Sequence, residues 1–368
     1  MFSDNQKISL RQLQALLFLY FWGTPALLLP AELAGESGRG CWVVMLLGGL
    51  AATVFSLVIT ILWKWEPSWT GVEWLRRLCG SALGSVLAIG FAGKIALDAI
   101  VEARVFAEVL RSTVLPHTPL WLVVGVLLLL CVFAVLGGME GQARTAEILF
   151  FFVFVPLVLV LLTAALSAEH AYYLPLEMPT AGQIYKGAAV IQPLFQGMIF
   201  LFFLSPFLQR PKQAGKSVFG VCLCITLLMT VTVFLCLTVY GVDTLTRKLF
   251  PTLQLMERVG FSGIYLGRQD VLLLWFWMAS VFLYLSGALF FGSVCCGRIF
   301  RQKETIWRKW LWVWLPLILV GTLLPRDIAS AYAFRNGIQP YVSAVYVGIL
   351  PLICIGVHIA SERRRRRA

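Results

Sequence analysis

Long apolar segments separated by short polar loops run along the whole chain of 368 residues. A helix needs about 20 consecutive apolar residues to cross a bilayer core of about 30 Å. Ten segments of this kind lie at 13–34, 41–63, 80–110, 119–138, 145–166, 187–208, 217–240, 270–297, 309–324 and 339–360. The pattern predicts an all-α membrane protein with ten transmembrane helices, and the loops between them are too short for a separate catalytic domain.

Composition agrees with a membrane protein, because 60% of the residues are hydrophobic and only 13% are charged. A soluble domain has about 25% charged residues. We therefore expect residues 1–368 to form one polytopic membrane domain that ends in a basic tail at 361–368, "SERRRRRA". The tail is expected to hold anionic lipid headgroups, so the net charge of +12 does not indicate a nucleic-acid partner. With the N-terminus inside, 19 of the 30 lysines and arginines fall on the inner side, which predicts that both termini are cytoplasmic.

The first apolar segment carries Gly23-Thr24-Pro25 at its midpoint. Glycine weakens a helix, and proline removes a backbone donor. One interpretation is a simple proline kink in which Thr24 bonds the carbonyl that proline leaves free. The other is a discontinuous helix whose outer half starts at Pro25, with free N–H groups and a positive dipole end for a ligand carboxylate.

The sixth apolar segment contains a comparable interruption, Gln192-Pro193-Leu194-Phe195-Gln196-Gly197. In a protein built as a five-plus-five inverted repeat, here about 10–166 and about 187–360, the first and sixth helices correspond. Interrupted helices at corresponding positions are a pointer to a substrate site at the membrane midplane. Alternatively, the two glutamines at a spacing of four hold neighbouring helices together.

The third apolar segment has charged residues at every fourth position, which places Lys94, Asp98 and Glu102 along one helical stripe. Charges at membrane depth are rare and face a cavity or each other. One interpretation is an internal Lys94–Asp98 ion pair that locks the helix. The other is that one of these residues borders a ligand pocket or a hydrated path. Glu102, Arg104 and Glu108 are expected nearer the outer surface and are less informative.

Near the middle of the eighth apolar segment, three hydroxyl groups interrupt an apolar run, those of Ser280, Tyr284 and Ser286. Ser280 and Tyr284 share a helical face because they are four residues apart. Such hydroxyls can bond their own helix backbone. If this helix packs against the first interruption, they contact the ligand instead.

Catalytic motifs are absent from the sequence: there is no HExxH, no GxSxG, no GxxxxGK[ST] and no CxxC pair. The three histidines are scattered over loops and one helix end. We therefore expect no enzymatic activity, no cofactor and no metal site.

Three segments together resemble a known family: "KISLRQLQALLFLYFWGTPALLLP", "GMEGQARTAEILF" and "LFPTLQLMERVGFSGIYLGRQDVLLLWFW". They are similar to the spore germination permeases, the B subunits of nutrient germinant receptors in endospore-forming bacteria. This family lies within the amino acid–polyamine–organocation superfamily. The resemblance runs over nearly the whole chain and in the same order.

The resemblance implies a leucine-transporter-like fold in which helices 1 and 6 are broken and helices 3 and 8 complete the ligand pocket. Carried over residue by residue, the implied ligand-binding positions are Gly23, Thr24, Pro25, Asp98, Phe195, Gln196, Gly197, Ser280 and Tyr284. Two positions depart from the family pattern. Met198 stands where many members carry an acidic residue, and Gly267-Arg268-Gln269-Asp270 replaces the usual Glu-Arg-x-Asp.

The function implied is that of a germinant receptor B subunit in the spore inner membrane. It would bind a small nutrient, an amino acid by preference, and signal to a larger A subunit and a lipoprotein C subunit. The alternative is a proton-coupled secondary transporter of amino acids. The fifth segment has no lysine or acid near its middle, between residues 148 and 166, and this favours the receptor because a carrier needs a coupling-ion site.

Overall fold

A computed structural model describes residues 6–23, 25–167, 177–258, 269–301, 307–325 and 328–367. Over these ranges the chain is almost entirely helical. The predicted positions Thr24, Gly267 and Arg268 lie outside the described residues.

The α-helices follow each other along the chain with short connections. They are α1 Leu10–Trp22, α2 Pro25–Ser37, α3 Cys41–Trp65, α4 Gly71–Cys79, α5 Ser81–Thr113, α6 Leu120–Leu136, α7 Gly138–Ser167, α8 Ala181–Ile191, α9 Leu201–Leu204, α10 Ala214–Leu245, α11 Pro251–Arg258, α12 Gln269–Ile299, α13 Trp307–Leu323, α14 Ile328–Gly337, α15 Gln339–Ser343 and α16 Leu350–Arg367. A 3₁₀ segment, Gln192–Phe200, joins α8 to α9, and a π-helical segment, Ala344–Ile349, joins α15 to α16.

Seven helical segments in the described part of the chain are long and apolar enough to cross a membrane. They are Pro25–Trp65, Ser81–Thr113, Gly138–Leu166, Ala181–Phe207, Pro211–Leu245, Leu274–Ile299 and Gln339–Ser361, with Leu120–Leu136 as a shorter apolar helix. The all-helical membrane architecture is thus confirmed, whereas the total of ten and the inverted repeat stay predictions. Three of the predicted helices do not meet this criterion, because α1 has only 13 residues and α6 and α13 have only 17 each.

The N-terminal segment is bound to the C-terminal end of the sixth predicted helix. Ser9 and Gln12 form a capping box that starts α1, with reciprocal bonds of 3.0 and 3.3 Å. Just before this cap, the Ile8 N–H donates to the Phe207 carbonyl at 2.7 Å, and the Gln209 N–H donates to the Ile8 carbonyl at 3.0 Å. The two interrupted helices are therefore joined through their backbones on one side of the bundle.

The interrupted first helix lies at the centre of the bundle. Nearly every side chain of α1 and α2 from Leu13 to Ala34 is buried. The first half, α1, packs against α7, α10 and α12, and the second half, α2, packs against α8 and α10. Helix α5 packs along α12 and α13. This arrangement brings the first interruption, the 3₁₀ segment, α5 and α12 together.

Candidate functional site

The first interruption lies at Gly23. Helix α1 ends at Trp22 and α2 begins at Pro25, and Gly23 has φ −27° and ψ −147°, far from helical values. The Ala26 N–H donates to the Gly23 carbonyl at 3.1 Å, which closes the first turn of α2. A simple proline kink would keep helical angles on both sides. The predicted discontinuous helix is therefore confirmed.

The second interruption lies in the 3₁₀ segment Gln192–Phe200. Within it Phe195 leaves the helical region, with φ −104° and ψ 18°, and its ring lies 5.8 Å from that of Phe21. A Cβ on Gly197 would lie 3.1 Å from Tyr20 Cβ and 3.2 Å from Phe21 Cδ1. Gly197 thus lets the two interrupted helices approach each other closely, which is a packing role.

The carboxylate of Glu102, on α5, lies where the two interruptions meet. A Cβ built on Gly23 would lie 3.0 Å from Glu102 Oε1, and Gln196 Nε2 donates to Glu102 Oε2 at 3.1 Å. Glu102 is only 5% exposed. The expectation that it is near the outer surface and uninformative is wrong, because α5 continues to Thr113 and leaves Glu102 inside the bundle. The sequence carried one signal for this position: Glu102 is four residues from Asp98, so both carboxylates lie on one face of the helix.

Asp98 lies one helical turn from Glu102 and is held by two neighbours. Lys94 and Asp98 form a fully buried ion pair within α5, as predicted. Gln339 Nε2, from α15, donates to the other carboxylate oxygen, Oδ1, at 2.6 Å. Both oxygens of Asp98 are therefore engaged by the protein. The structural interpretation of the pair is confirmed, and a ligand contact by Asp98 stays a prediction.

The three hydroxyls near the middle of the eighth predicted helix, those of Ser280, Tyr284 and Ser286, are of two kinds. Ser286 Oγ donates to the Phe282 carbonyl of its own helix at 2.7 Å. Ser280 Oγ and Tyr284 Oη are buried, and neither has a hydrogen-bond partner among the residues that the structure describes. A buried hydroxyl without a partner is costly, so these two groups are suited to meet a ligand or water.

Tyr284 faces the same region as the interruptions. Its ring centroid lies 5.3 Å from that of Phe200, at the end of the 3₁₀ segment. Its hydroxyl lies close enough to the Asp98 and Glu102 carboxylates to interact with them electrostatically. Tyr284 therefore faces the 3₁₀ segment and the two α5 carboxylates, and its contact with a ligand stays a prediction.

Arg104, the cation nearest Glu102 along α5, is directed toward the C-terminal end of α13. Its guanidinium donates to Glu108 Oε1 at 2.7 Å, to the Pro325 carbonyl at 2.7 Å and to the Thr322 carbonyl at 3.3 Å. Such carbonyls at a helix end carry partial negative charge. Arg104 therefore stabilises the packing of α5 against this end of α13.

The structure brings an interrupted backbone, an acidic side chain and an amide together at Gly23, Glu102 and Gln196. Tyr284, on α12, lies within electrostatic reach of the same carboxylate. Ser280, one helical turn before Tyr284, is a second buried hydroxyl without a hydrogen-bond partner in the described part of the chain. Binding of a ligand by these residues stays a prediction.

The chain is similar to proteins of one known family. Residues 7–331 match the family described as "Spore germination protein". Among curated relatives, Spore germination protein YndE of Bacillus subtilis (strain 168) is 23% identical over 372 residues, covering 100% of this chain and 99% of that protein. Spore germination protein B2 of the same organism is 23% identical over 90% of each chain, and Spore germination protein KB is 21% identical over 99% and 98%.

Among solved structures, the crystal structure of MhsT in complex with L-phenylalanine has a TM-score of 0.60 with this chain at 15% identity. The alignment covers 95% of this chain and 97% of MhsT. This likeness shows a leucine-transporter-like fold. Because the family match extends over most of the chain, the protein belongs to the spore germination protein family.

Proposed function

We propose that this protein is the B subunit of a germinant receptor and binds a small nutrient, preferably an amino acid, where its two helix interruptions meet. The observation that carries the proposal is the contact of both interruptions with one buried side chain, Glu102. Interrupted helices leave backbone N–H and C=O groups for a ligand where lipid offers none. The proposed ligand-binding positions are Gly23, Thr24, Pro25, Asp98, Phe195, Gln196, Gly197, Ser280 and Tyr284.

Signalling follows if the nutrient binds one arrangement of the bundle more tightly than another, because it then shifts the population toward that arrangement. The backbone bridge from Ile8 to Phe207 and Gln209 supports this idea, since it joins the inner ends of both interrupted helices. A movement of one would be transmitted to the other. The proposed recipients are an A subunit and a lipoprotein C subunit.

The same proposal includes a membrane arrangement. Ten transmembrane helices in two inverted repeats, about 10–166 and about 187–360, form one domain in the spore inner membrane. Both termini are cytoplasmic, and the basic tail 361–368 meets anionic headgroups.

A proton-coupled amino acid transporter is the second candidate, and the observation that favours it is the likeness of the whole chain to MhsT. Fold alone does not separate a receptor from a carrier. The buried Lys94–Asp98 pair offers titratable groups for such coupling. The middle of α7, by contrast, carries no lysine or acidic residue between positions 148 and 166, and this favours the receptor.

Reconstitution separates the two candidates. Purified protein in liposomes is given radiolabelled amino acids in the presence of an inward proton gradient, with a protonophore as the control. The receptor proposal expects saturable binding and no accumulation above the external concentration. Gradient-driven accumulation that the protonophore abolishes contradicts the receptor proposal and supports the carrier.

A further inference from the structure

Pro30 lies inside α2 and removes a hydrogen bond from the first turn of this helix. In an α-helix the carbonyl of residue 26 accepts from the N–H of residue 30, but proline has no N–H. The proline ring also crowds the carbonyl of the fourth residue before it, which here is Ala26. Because Ala26 is buried, where water does not reach, its carbonyl needs a donor from elsewhere in the protein.

Thr252, on α11, supplies a donor to this carbonyl. Its Oγ1 donates to the Ala26 carbonyl at 2.8 Å, across 226 positions of the chain. The Thr252 side chain is fully buried, so water does not compete for the hydroxyl. The thiol of Cys236, on α10, lies within hydrogen-bond reach of the same hydroxyl. The first turn of α2 is thus closed by a side chain of another helix, at the position where its own backbone has no donor.

Ala26 connects this hydrogen bond to the first interruption. Its N–H donates to the Gly23 carbonyl at 3.1 Å, and its carbonyl accepts from Thr252. Both backbone groups of one residue are therefore engaged, one by the interruption and the other by α11. The direction in which α2 leaves Gly23, and with it the position of Pro25 in the proposed nutrient site, depends on the Thr252 hydroxyl.

Helix α11 can hold α2 in place because it is itself packed into the bundle. It packs against α2, α10 and α12, and its side chains Leu253 and Leu255 are buried. A polar group on a packed helix is a more precise anchor than one on a loop. Since α12 carries Tyr284, α11 links the second half of the interrupted helix to a helix of the proposed nutrient site.

We propose that Thr252 is a positioning residue of the nutrient site: it replaces the hydrogen bond that Pro30 removes and so sets the orientation of the first turn of α2. The inference rests on the proposed nutrient site and adds the side chain that aligns it. Pro30 and Thr252 then act as a pair, because the proline frees a carbonyl that the threonine uses. An N–H at position 30 therefore makes the Thr252 hydroxyl dispensable.

The test is a double-variant cycle on the full-length protein in lipid nanodiscs. Thr252→Val removes the hydroxyl and keeps the shape of the side chain, and Pro30→Ala provides an N–H for the Ala26 carbonyl. Thermal unfolding without added amino acid measures the hydrogen bond itself. Calorimetry with L-alanine, L-valine, L-leucine and L-phenylalanine measures the alignment of the site.

Thr232→Val is the matched control for the loss of a buried threonine hydroxyl. Thr232 is fully buried, and its hydroxyl donates at the same distance of 2.8 Å, but to the Leu228 carbonyl of its own helix, α10. This variant should bind each amino acid as wild type does.

Thr252→Val is expected to lower the midpoint of thermal unfolding. It should also weaken the binding of every amino acid that wild type binds by roughly 3- to 10-fold, the effect of one lost hydrogen bond. Thr252→Ser keeps the donor and should bind as wild type does. Pro30→Ala alone should change binding little, since a carbonyl can accept two hydrogen bonds. In Thr252→Val with Pro30→Ala, both the midpoint and the affinity should return most of the way to wild type.

Three results would overturn the inference. If Thr252→Val unfolds at a lower temperature but binds with wild-type affinity, the hydroxyl serves stability alone and the proposed nutrient site stands. If Pro30→Ala does not restore binding to Thr252→Val, the two residues do not share the Ala26 carbonyl. If Thr252→Ser binds as weakly as Thr252→Val, the hydroxyl is not the group that aligns the site. Binding of none of the four amino acids by wild type would instead remove the proposed nutrient site, and with it the role of Thr252 there.

A second comparison keeps the test decisive if Thr252→Val does not reach the membrane. The double variant is then compared with Pro30→Ala alone, since both have an N–H at position 30. Equal membrane levels and equal affinities in these two variants would support the inference. A double variant that is missing from the membrane, or that binds at least threefold more weakly than Pro30→Ala, would overturn it.

Discussion

Replacing Gly23 by alanine adds one methyl group at the first helix interruption. The new Cβ would lie 3.0 Å from Glu102 Oε1, closer than ordinary carbon–oxygen contact. The Glu102 carboxylate is the end of a flexible side chain. We therefore expect the carboxylate to move by a few tenths of an ångström while the helix stays in place.

The expected loss of ligand affinity is estimated from the hydrogen bond that Glu102 accepts from Gln196. Its other oxygen accepts the 3.1 Å bond from Gln196, and a displaced carboxylate lengthens or loses that bond. A hydrogen bond to a charged group contributes about 1.5–3 kcal/mol when it is intact. Loss of part of this energy at the ligand site corresponds to roughly a tenfold change in affinity. Folding should be little affected, because the methyl group displaces only a side-chain end.

Gly35→Ala is the matched control in the same interrupted helix. A Cβ at Gly35 meets only Thr246 Cγ2, at an ordinary 3.9 Å. Alanine is the better helix former by about 1 kcal/mol, so this variant should be at least as stable as wild type.

The assay measures germination of spores as a function of nutrient concentration, with receptor level determined by immunoblot. Gly23→Ala is expected to raise the half-maximal dose about tenfold at a near-normal receptor level, and Gly35→Ala to leave both unchanged. An unchanged dose in Gly23→Ala spores at normal receptor level would refute the assignment of this interruption to the ligand site. A low receptor level with a normal dose would show that Gly23 serves packing alone.

Further predictions concern the neighbouring groups. Lys94→Met leaves the buried Asp98 charge without its partner and should cost about 3–5 kcal/mol of stability. The level of protein in the membrane should therefore fall further in Lys94→Met than in the double variant Lys94→Met with Asp98→Leu. Equal losses on immunoblots would contradict the pairing. Tyr284→Phe should preserve receptor level but raise the nutrient dose, whereas Ser286→Ala should leave the dose unchanged; a normal dose–response curve for Tyr284→Phe would remove this hydroxyl from the site. Gly197→Ala should lower receptor level, because its methyl group would crowd α1 at about 3.1 Å; wild-type levels would argue against close packing there.

Local features of the fold were predictable from the sequence because they depend on neighbouring residues. Glycine and proline inside an apolar run predicted the interruption at Gly23, and amides with proline and glycine predicted the second one. The four-residue spacing of Lys94 and Asp98 predicted their ion pair, since such residues meet on one helical face.

Features that depend on packing between distant segments were not predictable in the same way. Glu102 touches Gln196, which is 94 residues away along the chain, and no local pattern reveals that contact. Ser280 and Ser286 are the same residue type on the same helix. Only the packed structure shows that Ser286 bonds its own backbone while Ser280 does not.

The most direct test of the nutrient site is photolabelling with a diazirine analogue of an amino acid that triggers germination of these spores. The full-length protein is labelled in lipid nanodiscs, digested and mapped by mass spectrometry, with the unlabelled amino acid as competitor. We expect the peptides that contain Gly23 and Phe195–Gly197 to be labelled, and the unlabelled amino acid to suppress this labelling. If the unlabelled amino acid suppresses labelling only on peptides remote from both interruptions, the proposed nutrient site is contradicted.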